Sequence, residues 1–357
     1  MRRHIVPPYL LARLARADDA GLDRAVVAAR RALAELPPLH DERRRSTLLS
    51  SPSPEAAAAS TPPGSSRPRR TIADARGSER LPGTVVRREG QPPTGDIAVD
   101  EAYDGLGATH AFLLDAFSRS SIDGEGLPLD ATVHYGDDYD NAFWDGSRMV
   151  FGDGDGEVFG RFTASLSVIG HELAHGVTQF TSGLEYQGQS GALNESFSDV
   201  MGAMVEQHAL GQTAAQASWL IGEGLFTPAV QGRALRSMLE PGTAYDDDVL
   251  GRDPQPADMA HYVETTDDNG GVHLNSGIPN RAFALAAVEL GGRSWETAGV
   301  VWYDTATRGG LPPTATFRDF AEATVRAATA RFGAGSAATR AVRGSWEKVG
   351  VGVDERS

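Results

Sequence analysis

Val168-Ile169-Gly170-His171-Glu172-Leu173-Ala174-His175-Gly176 carries two histidines four residues apart, with a glutamate directly after the first. On a helix, positions i and i+4 lie one turn apart on one face, so both imidazoles reach a single ion. Glu172 sits beside them and can approach the open side of that ion without ligating it. A catalytic zinc takes three protein ligands and keeps one position for water, so another ligand is required. Asn194-Glu195-Ser196-Phe197-Ser198-Asp199, beginning nineteen residues past His175, provides a candidate. Glu195 and Asp199 are four apart and share a helical face. Glu195 can complete a His/His/Glu set, while Asp199 can accept the free ring N–H of one liganding imidazole and so set its tautomer. Asn194 can do the same for the other histidine. The plain alternative makes the two histidines ordinary polar positions of an amphipathic helix and the acids a surface pair. It leaves the co-occurrence of these residue types unexplained.

The chain of 357 residues is long enough for two core-bearing lobes and an appendage. Its composition, 40% hydrophobic and 23% charged, is that of a globular protein. No run approaches the roughly 18 apolar residues of a membrane helix. Cysteine is absent, so a metal site must use histidine and carboxylates. The start, Met1-Arg-Arg-His-Ile-Val-Pro-Pro-Tyr-Leu-Leu11, lacks the apolar stretch of a secretory leader. The expectation is export by a non-classical route, with a cytoplasmic location as the alternative. The net charge of −15 is unevenly shared: residues 1–80 hold 15 Arg against 9 Asp/Glu, and the remainder 18 basic against 39 acidic residues. The arginine-rich head has no interleaved aromatics or recognition motif, so nucleic acid is not an expected partner. Attraction between head and body is the simpler account.

Apolar residues at helical spacing (Leu11, Leu14, Leu22, Val26, Ala29, Leu33) predict one amphipathic helix over 11–36, ended by Pro37-Pro38. A Ser/Pro/Ala-rich stretch follows, too poor in apolar residues to fold. The predicted domains are a short propeptide-like segment 1–48, a linker 49–71, a β-rich catalytic lobe 72–182 ending in the zinc helix, and a helical lobe 183–357. Residues 97–118 read as helix, and 131–162 as short strands broken by turns. Helices are then expected near 167–180, 192–209, 277–290, 295–307, 317–332 and 337–349. The fold class is α+β, with the site in a cleft between lobes.

Further motifs agree with that plan: Asn141-Ala-Phe-Trp144, Gly152-Asp-Gly-Asp-Gly156, Gly183-Leu-Glu-Tyr186, Ser190-Gly-Ala-Leu-Asn-Glu195 and Asp268-Asn-Gly-Gly-Val-His273-Leu-Asn-Ser-Gly277. Over residues 80–350 the chain resembles the thermolysin family of zinc metalloendopeptidases. Its Pro7-Pro-Tyr-Leu-Leu11 resembles the propeptide opening of the protealysin-like branch. The resemblance implies that His171, His175 and Glu195 hold zinc and that Glu172 takes the proton of the attacking water. Tyr186 and His273 would stabilise the oxyanion, with Asp268 orienting His273. Asn141, the backbone of Ala142, and Trp144 belong to the edge strand that pairs with an extended peptide. Arg236 would bond the substrate carbonyl just after the cleaved bond. Phe159, Phe162, Val168, Ile221, Leu225 and Leu235 would line the pocket for the residue following that bond, favouring Leu, Phe, Ile or Val. Phe162 is bulkier than the leucine expected there and narrows the pocket.

The chain departs from the family at its calcium sites. Glu206 and Glu223 remain, but Ser167, Ser218 and Leu220 replace carboxylates, and Arg233 stands where an aspartate is expected near Thr227. Calcium prefers six to eight oxygen ligands, so zinc dependence without strongly bound structural calcium is expected. Tyr245-Asp-Asp-Asp248 reads as a solvated loop. The resulting expectation is a monomeric, zinc-dependent neutral endopeptidase acting on peptide or protein substrates. Its N-terminal segment would cover the cleft as an intramolecular inhibitor until the linker is cut. Two other readings are a dedicated processor of one partner and a non-catalytic peptide-binding protein on the same scaffold. The latter has no reason to keep Glu172, Tyr186 and His273 together.

Overall fold

The computed structural model describes residues 3–18, 21–35 and 67–354. Most of the expected linker falls in residues 36–66, outside the described residues. A six-stranded sheet runs in the order β1-β5-β6-β4-β2-β3. Its strands are β1 (Arg3–His4), β2 (Arg70–Asp74), β3 (Thr84–Arg88), β4 (Leu129–Val133), β5 (Ala142–Trp144) and β6 (Met149–Phe151). β2 and β4 pair in parallel, as do β4 and β6, while β5 runs antiparallel to β6. β1 comes from the N-terminal segment and joins β5 as an antiparallel edge strand, Arg3 opposite Trp144 and His4 opposite Phe143.

Helix α3 (Ile97–Phe117) packs across β2, β3 and β4. Its start is set by Asp96, whose carboxylate accepts from the Val99 N–H, and its end by Ser118 in the left-handed region. Beyond the sheet lie α4 (Leu166–Gln179) and α5 (Gly188–Leu210). Nearly every residue from Ser190 to Val205 is buried, because α5 is surrounded by other elements on all sides. Two glycines set how closely α4 and α5 approach. A Cβ on Gly202 would stand 2.3 Å from the Ser167 carbonyl oxygen, and one on Gly170 would stand 3.0 Å from the Gly202 Cα. That close crossing brings Glu195 and Asp199 up to the histidines of α4.

Short pairs follow: β7 (Leu220–Ile221) with β8 (Arg236–Ser237), and β9 (Asp246–Asp247) with β10 (Gly251–Arg252). The chain then continues through α6 (Asp268–Asn275), α7 (Gly277–Leu290), α8 (Ala298–Arg308), α9 (Phe317–Phe332) and α10 (Ala337–Lys348). α9 opens with a capping box between Thr316 and Asp319.

Two expectations need correction. The single N-terminal helix is two: α1 (Pro8–Leu14) and α2 (Asp23–Glu35). Pro8 starts α1 earlier than the apolar spacing suggested, since proline is pre-set for a first helical position. Bonds from Arg16 to Arg13 and from Ala17 to Leu14 tighten the end of α1. Asp18 and Gly21, both poor helix formers, fall in the break. The acidic run 245–248 is solvated at Asp246 and Asp248, as expected, but it forms one arm of the β9–β10 hairpin and not a loop. Tyr245 is buried, and the Asp247 carboxylate accepts from the backbone of Gln231, Val249 and Leu250.

Candidate active site

His171 and His175 are fully buried on α4, their rings 4.8 Å apart and perpendicular. Glu195, one helix away, places Oε2 3.5 Å from His171 Nε2 and Oε1 3.4 Å from His175 Nε2. The other ring nitrogens are engaged. His171 Nδ1 lies 2.7 Å from Asp199 Oδ1, and His175 Nδ1 lies 2.9 Å from Asn194 Oδ1 and 3.0 Å from Ser198 Oγ. With a proton on each Nδ1, both Nε2 lone pairs point towards Glu195. His171 Nε2 and Glu195 Oε2 are buried without a hydrogen bond from any protein atom. A His/His/carboxylate set with oriented tautomers and unsatisfied donor atoms fits one zinc ion. Glu172 also lies within 4.8 Å of both histidine donor atoms. Its Oε2, however, accepts from the Trp144 backbone N–H at 3.0 Å, so Glu195 is the better third ligand.

The electrostatics follow from burying this many charges together. Burial alone would raise the Asp199 carboxyl, but Arg236 and His171 outweigh it and hold it well below the usual carboxylate range. Arg236 grips Asp199 with two bonds of 2.9 and 2.8 Å, and Asn280 adds a third at 2.8 Å. Glu195 is also held low, its burial outweighed by the neighbouring histidines. Glu172 is different. Burial pushes its pKa up to about 8, with the charge of Glu195 adding and that of His171 opposing. A carboxyl poised near neutrality suits proton transfer.

On the far side, Tyr186 donates to Glu195 Oε1, and its hydroxyl lies 3.3 Å from His273 Nε2. Asp268 and Asn269 hold φ near +51° and +52°, and Gly270 and Gly271 continue the left-handed turn. The turn folds the Asp268 carboxylate back onto His273, 2.6 Å from Nδ1 and 2.9 Å from the backbone N. Burial opposes protonation of His273, but Asp268 and Glu195 prevail and raise it to about 9.

The substrate-binding candidates also converge. Phe159 and Phe162 pack with ring centroids 5.7 Å apart. Leu225 and Leu235 close around Gly222, and the Leu235 N–H bonds to the Ile221 carbonyl at 3.0 Å. Val168 is fully buried one turn before His171. Trp144 sends its ring N–H to Gln179 and its backbone N–H to Glu172.

The groove itself holds the chain's own N-terminus. The Ile5 N–H donates to the Ala142 carbonyl at 3.2 Å and the Val6 N–H to Asn141 Oδ1 at 3.0 Å. Arg236 Nη1 donates to the Ile5 carbonyl at 3.1 Å, and His273 Nε2 lies 3.1 Å from the His4 carbonyl oxygen. Farther along, Arg13 bonds the Leu250 carbonyl, Arg24 pairs with Asp138, and the Ala25 N–H at the start of α2 bonds Glu157.

Sequence reading missed Ser198, Asn280 and the partnership of Arg236 with Asp199. Ser198 stood inside the quoted carboxylate motif and could have been found there. Asn280 is 81 residues from Asp199, and no local pattern links them.

Residues 71–179 match the thermolysin metallopeptidase catalytic domain, and residues 182–351 match its alpha-helical domain. The chain is 59% identical over 284 residues to an extracellular metalloprotease of Pectobacterium carotovorum subsp. carotovorum, covering 80% of this chain and 81% of the relative. It is 51% identical over 288 residues to Protease PrtS of Photorhabdus sp. (strain Az29), covering 80% and 77%. It is also similar to a solved precursor of protealysin, a metalloproteinase from Serratia proteamaculans. That likeness has a TM-score of 0.87 and 50% identity, and covers 98% of this chain and 99% of the other. The chain is therefore a zinc-dependent metallopeptidase, and it belongs to the thermolysin family.

Proposed function

We propose that the chain is an endopeptidase, made as a self-inhibited precursor, that cleaves before bulky apolar residues. The convergence of His171, His175 and Glu195 on one point, with Glu172 beside it, carries this reading. Zinc held by those three ligands would supply Lewis acidity towards a carbonyl and a water. Glu172 takes a proton from the attacking water and passes it to the leaving nitrogen. Tyr186 and His273 donate to the developing oxyanion, His273 being held in place and cationic by Asp268. Asn141 and Ala142 align the substrate as an added strand, and Arg236 holds the carbonyl after the cleaved bond. The apolar side chains from Phe159 to Leu235 receive the residue that follows.

Residues 1–48 act as a propeptide-like segment, joined through a linker at 49–71 to lobes 72–182 and 183–357. The support is the N-terminal strand lying on β5, hydrogen-bonded to the same groups that would bind a substrate. Action outside the cell is supported by the extracellular relative. The enzyme works as a monomer and needs no strongly bound calcium.

The test is incubation of the activated enzyme with a peptide library, with and without a zinc chelator, beside Glu172→Gln. Turnover should fall by about 10²–10⁴ in the variant while its zinc content stays intact. A variant that cuts as fast as wild type would defeat the assigned mechanism.

A further inference from the structure

We infer that the His4–Ile5 peptide bond is a substrate of this same site, seated in productive register and cut in cis. The inference rests on the peptidase reading above. Two separate groups mark the same bond. Arg236 bonds the Ile5 carbonyl, and on the proposed roles that carbonyl belongs to the residue just after the cleaved bond. His273, the oxyanion donor, lies 3.1 Å from the His4 carbonyl oxygen, which is the carbonyl of the bond before Ile5. A one-residue slip would move both contacts together and mark the neighbouring bond, Arg3–His4 or Ile5–Val6, so the two contacts fix the register at His4–Ile5.

Direction and fit agree with register. β1 runs antiparallel to β5, with the Ile5 N–H on Ala142 and the Val6 N–H on Asn141. A segment that escaped cleavage by lying backwards would pair in parallel. Ile5 is fully buried and of the apolar type that the pocket is expected to accept. His4 is buried too, its ring 5.1 Å from that of Phe143.

Hydrolysis adds water across the bond. The water oxygen joins the His4 carbonyl carbon, the C–N bond breaks, and Glu172 delivers a proton to the Ile5 nitrogen. The products are a His4 carboxylate and an Ile5 amine. The cut frees the β1 pairing of Arg3 and His4 but does not open the cleft, because a larger set of anchors lies on the Ile5 side of the bond. Val6, Leu10, Leu11 and Leu14 are buried, and Arg13, Arg24 and Ala25 bond the body. Pro7 and Pro8 stiffen the chain as it leaves the site. The molecule then stays shut, with Ile5 as its new first residue, until the segment is severed elsewhere.

The experiment uses full-length precursor, wild type and Glu172→Gln, each supplied with zinc. Intact mass and N-terminal sequencing follow the first residue, and an aliquot nicked in the linker reports activity on an apolar test peptide. Wild type should acquire Ile5 as its first residue, at a rate unchanged over a tenfold range of precursor concentration, while Glu172→Gln keeps its original start. A rate proportional to concentration overturns cleavage in cis. A precursor uncut before Ile5, with the nicked aliquot active, overturns this inference and leaves the peptidase reading standing. An inactive nicked aliquot sinks both. Register has a readout that needs no turnover. In Glu172→Gln precursor the Ile5 and Val6 amides should exchange hydrogen at least about tenfold more slowly than Val6 in the Ile5→Asp, Glu172→Gln double variant. Equal exchange removes the seated strand and the inference with it.

Discussion

Tyr186 shows how a site side chain acquires its role from neighbours that are distant in sequence. Its hydroxyl contacts Glu195 and lies close to His273, so its removal would touch both the proposed ligand set and the proposed oxyanion donors. Tyr186→Phe should lower kcat by about 10²–10³ with little change in KM, since the lost donor acts on charge formed in the transition state. Steady-state kinetics on an apolar peptide provide the check, and a change confined to KM would contradict the role. At this scale much of the site was legible. His171, His175, Glu195 and Asp199 announce themselves because helical spacing converts sequence offset directly into a shared face. Arg236 was legible only in part. Its expected contact was a substrate carbonyl, yet it also neutralises Asp199 through two bonds, and only the tertiary structure brings those residues together.

Among the elements, α5 carries both the best-read and the least-expected chemistry. Glu195 near one end faces His171 and His175, whereas Glu206 near the other feels the charge of Glu223. Burial, and then the charge of Glu223, raises the Glu206 pKa to about 7. The folded carboxyl therefore holds its proton more tightly than the unfolded one. The contribution of this one group to stability is most favourable below the unfolded value near 4.5 and is lost as pH rises towards and through about 7. Glu206→Gln should flatten that decline, recovering up to about 3 kcal/mol at neutral pH. Unfolding followed from pH 4.5 to 7.5 tests it, and parallel curves for the two proteins would sink it. The same neighbourhood bears on calcium. Ser167 Oγ accepts from the Gly222 N–H, and Ser218 Oγ accepts from the Leu220 N–H, so both hydroxyls have partners inside the protein. A calcium chelator, with zinc resupplied, should shift the melting temperature by no more than a few degrees. A large drop would reveal a structural calcium.

Across the whole molecule, the N-terminal segment is part of the core and not an ornament on it. Leu11 is fully buried in the hydrophobic cluster that also contains residues of both lobes. Leu11→Ala should cost about 2–5 kcal/mol of packing. If latency depends on that packing, the full-length variant should cleave a reporter peptide at least about tenfold faster than wild-type precursor before any processing. Unchanged latency would dissociate core packing from inhibition. Among the described residues, the uneven charge of the chain is used sparingly at this interface. Arg24 pairs with Asp138, but Arg13 and Arg31 bond backbone carbonyls, so shape and strand pairing matter more than the raw charge difference suggested.

Local chemistry in the sequence sufficed to place His171, His175 and Glu195 on two neighbouring helices and to give the α+β class. These depend on spacing along a helix or on motifs read within a few residues. Tertiary structure alone decided that Tyr245 is buried and that the Asp247 carboxylate accepts from the Gln231 N–H. It also decided that Asn280 and Arg236 share Asp199, and that Ile5 fills the groove. Each of these joins residues tens or hundreds of positions apart, or turns on burial, and neither is encoded in local periodicity.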